Sequence, residues 1–198
     1  MSLTAHRLFQ HSDESATLGT LDSGSEARDT APPAPGLAFV VYGTPVPKGS
    51  LKQVPVRRKG GAIVMGPNGP VMNTVHDNED LEPWMAAVAS SAMVARSKVG
   101  WGVQRGVAIE VTCRFFMPRT KGDFGTGRNA GTLKASAPKH HIKKPDYDKL
   151  VRGILDPLTG VLYGDDGQVV GETKVPGGKF YCGPNDVPRA EVLVRVRP

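Results

Sequence analysis

The most informative segment of this chain spans residues 144–172 and reads KPDYDKLVRGILDPLTGVLYGDDGQVVGE. It contains two close carboxylate pairs, Asp146 with Asp148 and Asp165 with Asp166. The proline before the first pair favours an extended lead-in, which would point Asp146 and Asp148 to the same side. The segment therefore predicts a site built on acidic side chains.

A short amphipathic helix is predicted to follow the first pair, with Asp148 as its cap. Its apolar residues recur at i, i+1, i+4, i+5 and i+8, the pattern of one buried stripe. Asp148, Arg152 and Asp156 share another face of this helix. The sequence Gly-Asp-Asp-Gly at 164–167 predicts a turn that opens a strand-like run. The residues of the apolar stripe are Leu150, Val151, Ile154, Leu155 and Leu158.

Carboxylates gathered from a helix start and a turn form a hard oxygen donor set, which suits Mg²⁺ bound together with waters and phosphate oxygens. Close like charges also raise each other's pKa unless a cation is present, which favours a metal. Arg152, one helical turn from Asp148, is a candidate phosphate contact. The simpler interpretation of each piece is that an Asp at a helix start is a cap and that Asp-Gly is a turn.

Three motifs in this segment occur together in a known family. They are Lys-Pro-Asp-x-Asp, a helix ending in Leu-Asp-x-Leu-x-Gly, and a Tyr-x-Asp-Asp-x-Gln-Val-Val turn and strand, between Lys144 and Val175. In this order and spacing they resemble the RusA-type Holliday junction resolvases, chiefly those of phages and prophages. The resemblance implies a small α/β homodimer that binds four-way DNA junctions and hydrolyses phosphodiesters with Mg²⁺, for which Mn²⁺ is expected to substitute.

The resemblance also implies which residues form the site. Two departures from the family pattern concern cations: Lys149 stands where Asn is usual, and Arg152 stands at the position of the family's catalytic lysine. Arginine keeps the charge but is a rigid fork rather than a mobile point charge. The implied catalytic and metal-binding residues are Asp146, Asp148 and Asp166, with Asp165 beside them as a further metal ligand and Arg152 as the catalytic cation.

The chain is long enough for one domain with a tail, and its charge is unevenly distributed. Of 198 residues with a formal net charge of +6, the first 31 carry five acids against two arginines, a net of −3. Residues 32–198 therefore carry +9, which favours a polyanionic partner, although an ordinary soluble surface explains many such cases. Residues 1–36 are rich in small and polar residues and end in a Pro-rich stretch, which predicts a disordered leader before a domain at 37–198.

Location and redox state can also be predicted from composition. The leader lacks the apolar core of a signal peptide, and no run of the sequence approaches the roughly eighteen apolar residues of a membrane span. The expected location is the cytoplasm of a bacterium or of a phage-infected host cell. Cys113 and Cys182 have no metal-ligand spacing, so reduced thiols are expected, with Cys113 in the core.

The remaining patterns predict an α/β chain of the α+β type, with a mixed sheet and helices packed on it in a single compact domain. The strongest helical period begins at Leu81, with Asp80 as its cap and Gly100 at its end. Apolar runs and period-two alternation predict strands at 37–42, 107–116, 168–175 and 190–196, and a hairpin formed by 62–65 and 71–75.

A flexible basic loop is predicted between residues 119 and 144, with seven cations against one acid. It runs directly into Asp146, and cations there suit DNA because neutralising phosphates supplies much of the affinity for nucleic acid. His140 and His141 are alternative metal ligands, which the hard-ion character of the carboxylates disfavours. The expected DNA-binding residues are Arg119, Lys121, Lys139, Lys143, Lys144 and Lys149.

The combined hypothesis is a Mg²⁺-dependent endodeoxyribonuclease that resolves four-way DNA junctions by paired symmetric cuts. Because a junction has two-fold symmetry and the chain has one carboxylate cluster, a C2 homodimer is expected. One alternative is a catalytically weak or inactive branched-DNA-binding protein of the same fold, with Lys149 partly taking the cation's place. Another is a basic structural domain with capping aspartates, which predicts no preference for branched over linear DNA.

Overall fold

The computed structural model describes residues 36–49, 51–76 and 78–197. The fold of this part is α+β, with a mixed sheet and two helices, as predicted. The leader predicted at 1–36 lies outside the described residues except for Gly36, which begins the first strand. The elements are β1 (Gly36–Tyr42), β2 (Leu51–Pro55), β3 (Met65–Gly66), β4 (Gly69–Pro70), β5 (Met72–His76), α1 (Leu81–Val99), β6 (Ile109–Met117), α2 (Tyr147–Leu158), β7 (Val169–Gly171), β8 (Gly178–Tyr181) and β9 (Arg189–Val196).

The main sheet has five strands in the order β1-β9-β6-β7, with β8 also paired to β6. β9 is antiparallel to both β1 and β6, whereas β7 and β8 are parallel to β6 and share its other edge. Alternation decides which face is buried, as in β6, whose odd-numbered residues from 109 to 117 are all buried. The strands predicted at 37–42 and 190–196 are confirmed, and the strand predicted at 107–116 begins two residues later.

The core lies between this sheet and the two helices, and one face of α2 is buried in it. Leu150, Ile154 and Leu158 are fully buried, which confirms the stripe predicted for α2. Burying one such side chain contributes about 1.5–3 kcal/mol, so these residues determine the rotation of the helix. Cys113 is buried in the same core, as predicted. In the described ranges, no helix is both long enough and apolar enough to cross a membrane.

α1 begins at Leu81 and ends before Gly100, whose left-handed backbone (φ 69°) stops the helix. Asp80 precedes the helix as predicted, but its side chain makes no capping hydrogen bond within the described chain. Its backbone is helical (φ −77°, ψ −6°), whereas a capping residue is normally extended. The Asp80 carboxylate is therefore not engaged by the helix that it precedes.

The hairpin predicted from 62–65 and 71–75 is wrong in its pairing. β5 pairs antiparallel with β2, so that Gln53 lies opposite Thr74. β3 and β4 form a smaller hairpin, with Gly66 opposite Gly69. The Gly and Pro residues correctly indicated a turn, which joins β3 to β4. The strand that follows this turn, β5, pairs with β2 from earlier in the chain.

β8 lies in a stretch for which no strand was predicted, and β7 is shorter than the strand predicted at 168–175. Between β7 and β8 the chain does not pair with β6 as a strand. A side-chain contact replaces the pairing there, because the buried hydroxyls of Thr173 and of Thr112 in β6 lie 2.8 Å apart. The loop at 119–144 contains two 3-10 turns, Lys121–Asp123 and Gly127–Asn129. These segments bring the chain back to the start of α2.

Candidate functional site

The first carboxylate pair lies at the start of α2. Asp146 precedes the helix with an extended backbone (φ −71°, ψ 147°), and Asp148 lies in the first turn. The prediction that Asp148 caps the helix is therefore wrong by two residues. Asp146 holds the capping position, although its side chain makes no capping hydrogen bond to the residues described. Both residues are exposed, so their carboxylates are accessible to a ligand.

The two carboxylates of this pair line different cavities. Asp146 lines a cavity of about 960 Å³, called here the Asp146 cavity. Asp148 lines a second cavity of about 490 Å³, called here the Asp148 cleft. Asp146 lies before the helix and Asp148 in its first turn, and because each lines a different cavity, the same-side arrangement expected of the pair does not form. The start of α2 separates the two cavities.

The Asp148 cleft lies between α2 and the sheet edge formed by β6 and β7. Asp148, Arg152 and Glu172 line it together with apolar residues such as Val111. Arg152 and Asp148 share this cleft because they are one helical turn apart, as predicted. Burial, with Glu172 as a second cause, raises the pKa of the Cys113 thiol, so this lining residue stays protonated. The charged groups of the cleft are therefore two carboxylates and one guanidinium.

Tyr147 fastens the start of α2 to the sheet. Its hydroxyl lies 2.7 Å from Glu172 Oε1 and 3.2 Å from the carbonyl oxygen of Cys113. Burial, followed by the hydrogen bond to Glu172, raises the pKa of Tyr147, so the phenol remains a donor. A Cβ at Gly177 would collide with this hydroxyl and would lie 2.9 Å from the Cys113 carbonyl oxygen, so glycine is required there.

The second carboxylate pair lies at the 3-10 turn Asp166–Gln168, which leads into β7 and confirms the predicted turn. Asp165 precedes this turn, and its Oδ1 accepts the N–H of Gly167 at 2.8 Å. In return, Gln168 Oε1 accepts the N–H of Asp165 at 3.1 Å. One oxygen of Asp165 is thus engaged in holding the turn.

Asp166 is exposed, and the turn that contains it contacts α2. Nearby, the hydroxyl of Tyr163 donates to the carbonyl oxygen of Leu155 at 2.9 Å. Burial raises the pKa of Tyr163, with Cys113 and Asp166 as further causes. The fully buried Tyr163 therefore ties the second carboxylate pair to the helix that carries the first.

The fit of these residues to a metal can be judged from the donor set. Within the ranges described, no group of three or more Asp, Glu, His or Cys side chains lies close enough to hold an ion. The donor chemistry still fits Mg²⁺, because exposed carboxylates are hard oxygen ligands and this ion needs only one or two of them with waters and substrate oxygens. Asp146, Asp148, Asp165 and Asp166 thus remain predicted ligands.

Two lysines pair with carboxylates of the α2 segment. Lys149 Nζ lies 3.4 Å from Asp146 Oδ2, and the two side chains are 44% and 54% exposed. Such an exposed pair contributes at most about 1 kcal/mol, so a stronger ligand can displace the lysine. Lys48 pairs with Asp156, which does not line the Asp148 cleft. Asp156 therefore contributes no charge to that cleft, although it was predicted to share a helix face with Asp148.

The predicted DNA-binding cations differ in their surroundings. Arg119 is held by the fold, because it donates to the carbonyl oxygens of Cys182 at 2.6 Å and Pro138 at 3.0 Å and lies over the Tyr181 ring. It therefore supports the basic loop. The exposed lysines of the set are Lys121, Lys139, Lys143 and Lys144, and the residues of the set that line the Asp146 cavity are Lys144 and Lys149.

The alternative histidine pair is separated from the carboxylates. His140 bridges to Phe180 of β8, and the His141 ring packs edge-on against Tyr181. Burial, with Lys179 as a second cause, lowers the pKa of His141, which favours the neutral ring. Neither histidine belongs to a group of metal-binding side chains among the residues for which side chains are described.

Two residues near the site were not predicted from the sequence. Glu172 follows β7 and enters the Asp148 cleft, but a single Glu after a strand carries no functional signal. Lys179 donates to the carbonyl oxygens of Lys143 at 2.8 Å and Pro145 at 2.7 Å, which supports the lead-in to Asp146. Lys179 lies in β8, which itself was missed, so no sequence pattern could have identified this role.

These observations define a class of protein. It is a small α+β domain that carries acidic side chains at a helix start and at a neighbouring turn. A family model described as Endodeoxyribonuclease RusA matches residues 53–195. The chain is also 31% identical over 163 residues to YqaN, an uncharacterized protein of Bacillus subtilis (strain 168), covering 80% of this chain and 95% of that protein. The chain belongs to the RusA endodeoxyribonuclease family, which confirms the predicted resemblance.

Proposed function

We propose that this protein is a Mg²⁺-dependent endodeoxyribonuclease that binds four-way DNA junctions and resolves them by paired symmetric cuts. Membership of the RusA family supports nuclease activity on branched DNA. The structural observation that carries the proposal is that Asp148 and Arg152 line one cleft, at a helix start that also carries Asp146. The net charge of +9 on residues 32–198 supports a nucleic-acid partner.

The roles of the residues follow from their chemistry. The proposed ligands are Asp146, Asp148 and Asp166, with Asp165 beside them. Because Asp146 and Asp148 line different cavities, the ion would be held by one or two of these carboxylates together with waters and phosphate oxygens. When bound, Mg²⁺ would lower the pKa of an attacking water and offset charge on the phosphate. Arg152 donates to the phosphate oxygens, and this interaction strengthens as their charge grows in the transition state. The exposed lysines 139, 143 and 144, just before Asp146, neutralise the DNA backbone.

Assembly as a homodimer is part of the proposal. Two symmetric cuts are needed to give two intact duplexes, and each chain supplies one set of carboxylates. Light scattering should therefore give about twice the chain mass of 21.1 kDa. A heterodimer of wild-type and Asp146→Asn chains should nick one strand of a junction without resolving it. A monomer that makes both cuts at full rate would contradict this arrangement.

Cleavage of synthetic four-way and linear duplex DNA, with and without Mg²⁺, tests the main proposal. The expected result is cleavage of the junction only in the presence of Mg²⁺ or Mn²⁺, with little cleavage of the linear duplex. Equal cleavage of both substrates, or full cleavage in the presence of a chelator, would overturn it. An Asp148→Asn chain prepared in the same way excludes a contaminating nuclease.

A second candidate function is branched-DNA binding with weak or no cleavage. It is favoured by the ion pair of Lys149 with Asp146, which places an ammonium beside a predicted metal ligand. Under this alternative, the chain binds a junction more tightly than a linear duplex but does not nick it at any Mg²⁺ concentration. Measurable Mg²⁺-dependent nicking would exclude it.

A further inference from the structure

The Asp146 cavity is larger than a metal site requires. Its volume of about 960 Å³ lies in the range of small-molecule binding pockets. One wall is the segment between β1 and β2, including Pro45, and the others are the starts of α1 and α2. Trp84 and Met117 give it apolar surface, and Tyr42 at its edge is 69% exposed. The cavity thus offers a concave, partly aromatic surface beside a predicted catalytic carboxylate.

Two polar side chains just before α1, Asn78 and Asp80, line this cavity. The Asp80 carboxylate makes no capping bond, and no described residue pairs with it. The Asn78 oxygen accepts the backbone N–H of Asp80 at 3.0 Å, which orients the amide. The amide NH₂ of Asn78 remains available as a donor. The cavity is therefore lined by an acceptor, the Asp80 carboxylate, and by a donor, the Asn78 amide, two residues apart in the sequence.

Cations that suit a nucleic-acid strand line the same cavity. Lys144 and Lys149 line the cavity next to Asp146. A DNA strand whose phosphate lies at the start of α2 would therefore pass positive charge beside the cavity. The neighbouring base, once out of the stack, would face the apolar surface and the Asn78 and Asp80 side chains.

We propose that the Asp146 cavity binds one unstacked nucleobase of the DNA substrate, next to the phosphate that is cut, and selects bases with an exocyclic amino group. The Asp80 carboxylate accepts from the amino group, as carboxylates do from cytosine, and the Asn78 amide donates to a ring nitrogen or carbonyl oxygen. Thymine has no amino group and is disfavoured. This inference rests on the proposed function and adds a site that reads the base.

The test uses full-length protein and a four-way junction in which 2-aminopurine replaces single nucleotides around the branch point. Fluorescence of this base rises when it leaves the stack. In Mg²⁺-free buffer, we expect wild-type protein to bind the junction and raise the fluorescence at one position on each symmetric strand. Asp80→Asn should reduce this rise, and the matched control Glu82→Gln, an exposed acid in the first turn of α1 outside the cavity, should not.

Cleavage provides the second measurement. Junctions that differ only in the base at that position should be cut with thymine disfavoured by about tenfold, within the discrimination of one good base contact. Asp80→Asn should remove this difference while junctions with an amino-bearing base are still bound. Asn78→Ala is a second variant that tests the same wall, and melting temperatures close to wild type show that both variants are folded.

The outcomes separate this inference from the proposed function. Failure to bind the junction would overturn both. Junction binding with no 2-aminopurine response, or with a response equal in Asp80→Asn and wild type, would overturn the nucleobase site alone.

Discussion

The hydroxyl of Tyr147 lies 2.7 Å from Oε1 of Glu172, and this contact joins the start of α2 to the segment that follows β7. Tyr147 is the residue between the two carboxylates of the first pair. The position of both carboxylates relative to the sheet therefore depends on a hydrogen bond whose acceptor lies in the Asp148 cleft.

Tyr147→Phe removes this hydrogen bond and keeps the ring. We expect the free energy of unfolding to fall by about 1–2 kcal/mol, because a bond to a charged acceptor is lost while Glu172 remains solvated. Urea unfolding measures this change. Tyr42→Phe, at an exposed tyrosine, is the matched control and should stay within about 0.5 kcal/mol of wild type. Equal midpoints for both variants would show that the contact does not stabilise the fold.

Replacing the predicted metal ligands should separate cleavage from binding. Asp146→Asn, Asp148→Asn and Asp166→Asn should each nearly abolish cleavage and leave junction binding equal or tighter, because each removes a ligand and a negative charge that repels phosphate. Single-turnover cleavage and gel-shift titration measure the two effects. Wild-type turnover by any of the three would refute its assignment.

Asp165→Asn should reduce cleavage less than these changes. The Asn oxygen can still accept the N–H of Gly167, which Asp165 accepts at 2.8 Å, so the turn is kept. Asp165→Ala removes that acceptor and should also lower stability by about 1 kcal/mol, the usual effect of losing a capping side chain. Thermal unfolding of the two variants compares them directly. Identical stability would show that the capping bond is unimportant.

Lys149→Gln should increase the apparent affinity for Mg²⁺, because it removes the ammonium that pairs with Asp146. An exposed ion pair is worth at most about 1 kcal/mol, so the gain should not exceed about fivefold. Calorimetric titration of Mg²⁺ into DNA-free protein measures it, with the exposed Lys139→Gln as control. A weaker affinity in the variant would contradict the idea that Lys149 competes with the ion.

Alkaline pH should destabilise the protein. Burial raises the pKa of Cys113, Tyr147 and Tyr163, so the folded chain holds these protons more tightly than the unfolded chain does. Their contribution is complete below the unfolded pKa values of about 8.5 for cysteine and about 10 for tyrosine, and it is lost as the pH rises above them. Urea midpoints between pH 7 and 11 should fall, and Tyr147→Phe should fall less steeply.

Much of the fold could be predicted because burial imposes a period on the sequence. The spacing of Leu150, Ile154 and Leu158 identified α2, and alternation identified β6 and β9. The start of α2 was misplaced because Asp146 and Asp148 are equally good caps by residue type, and only the packing of the helix decides between them. Glu172 was missed because its role comes from contact with Tyr147, which is 25 residues earlier.

The failed strand predictions share one cause, which is pairing between distant segments. β5 pairs with β2 rather than with its neighbour, and the Gly-rich sequence before β8 gives no sign that β6 will accept this strand. Local turn chemistry predicts where a chain reverses, but not which strand edge it finds afterwards. Local sequence thus predicted acidic candidates for the site, but not that Asp146 and Asp148 line different cavities.

The position of β9 between β1 and β6 has a consequence for synthesis on the ribosome. Within the described chain, β1 pairs in the main sheet only with β9, although residues 36–42 are made long before residues 189–196. A nascent chain therefore carries β1 without its partner until β9 has emerged. Contacts this distant in sequence slow folding. Chaperones that bind extended apolar strands should engage β1 during translation and release it only after β9 is complete.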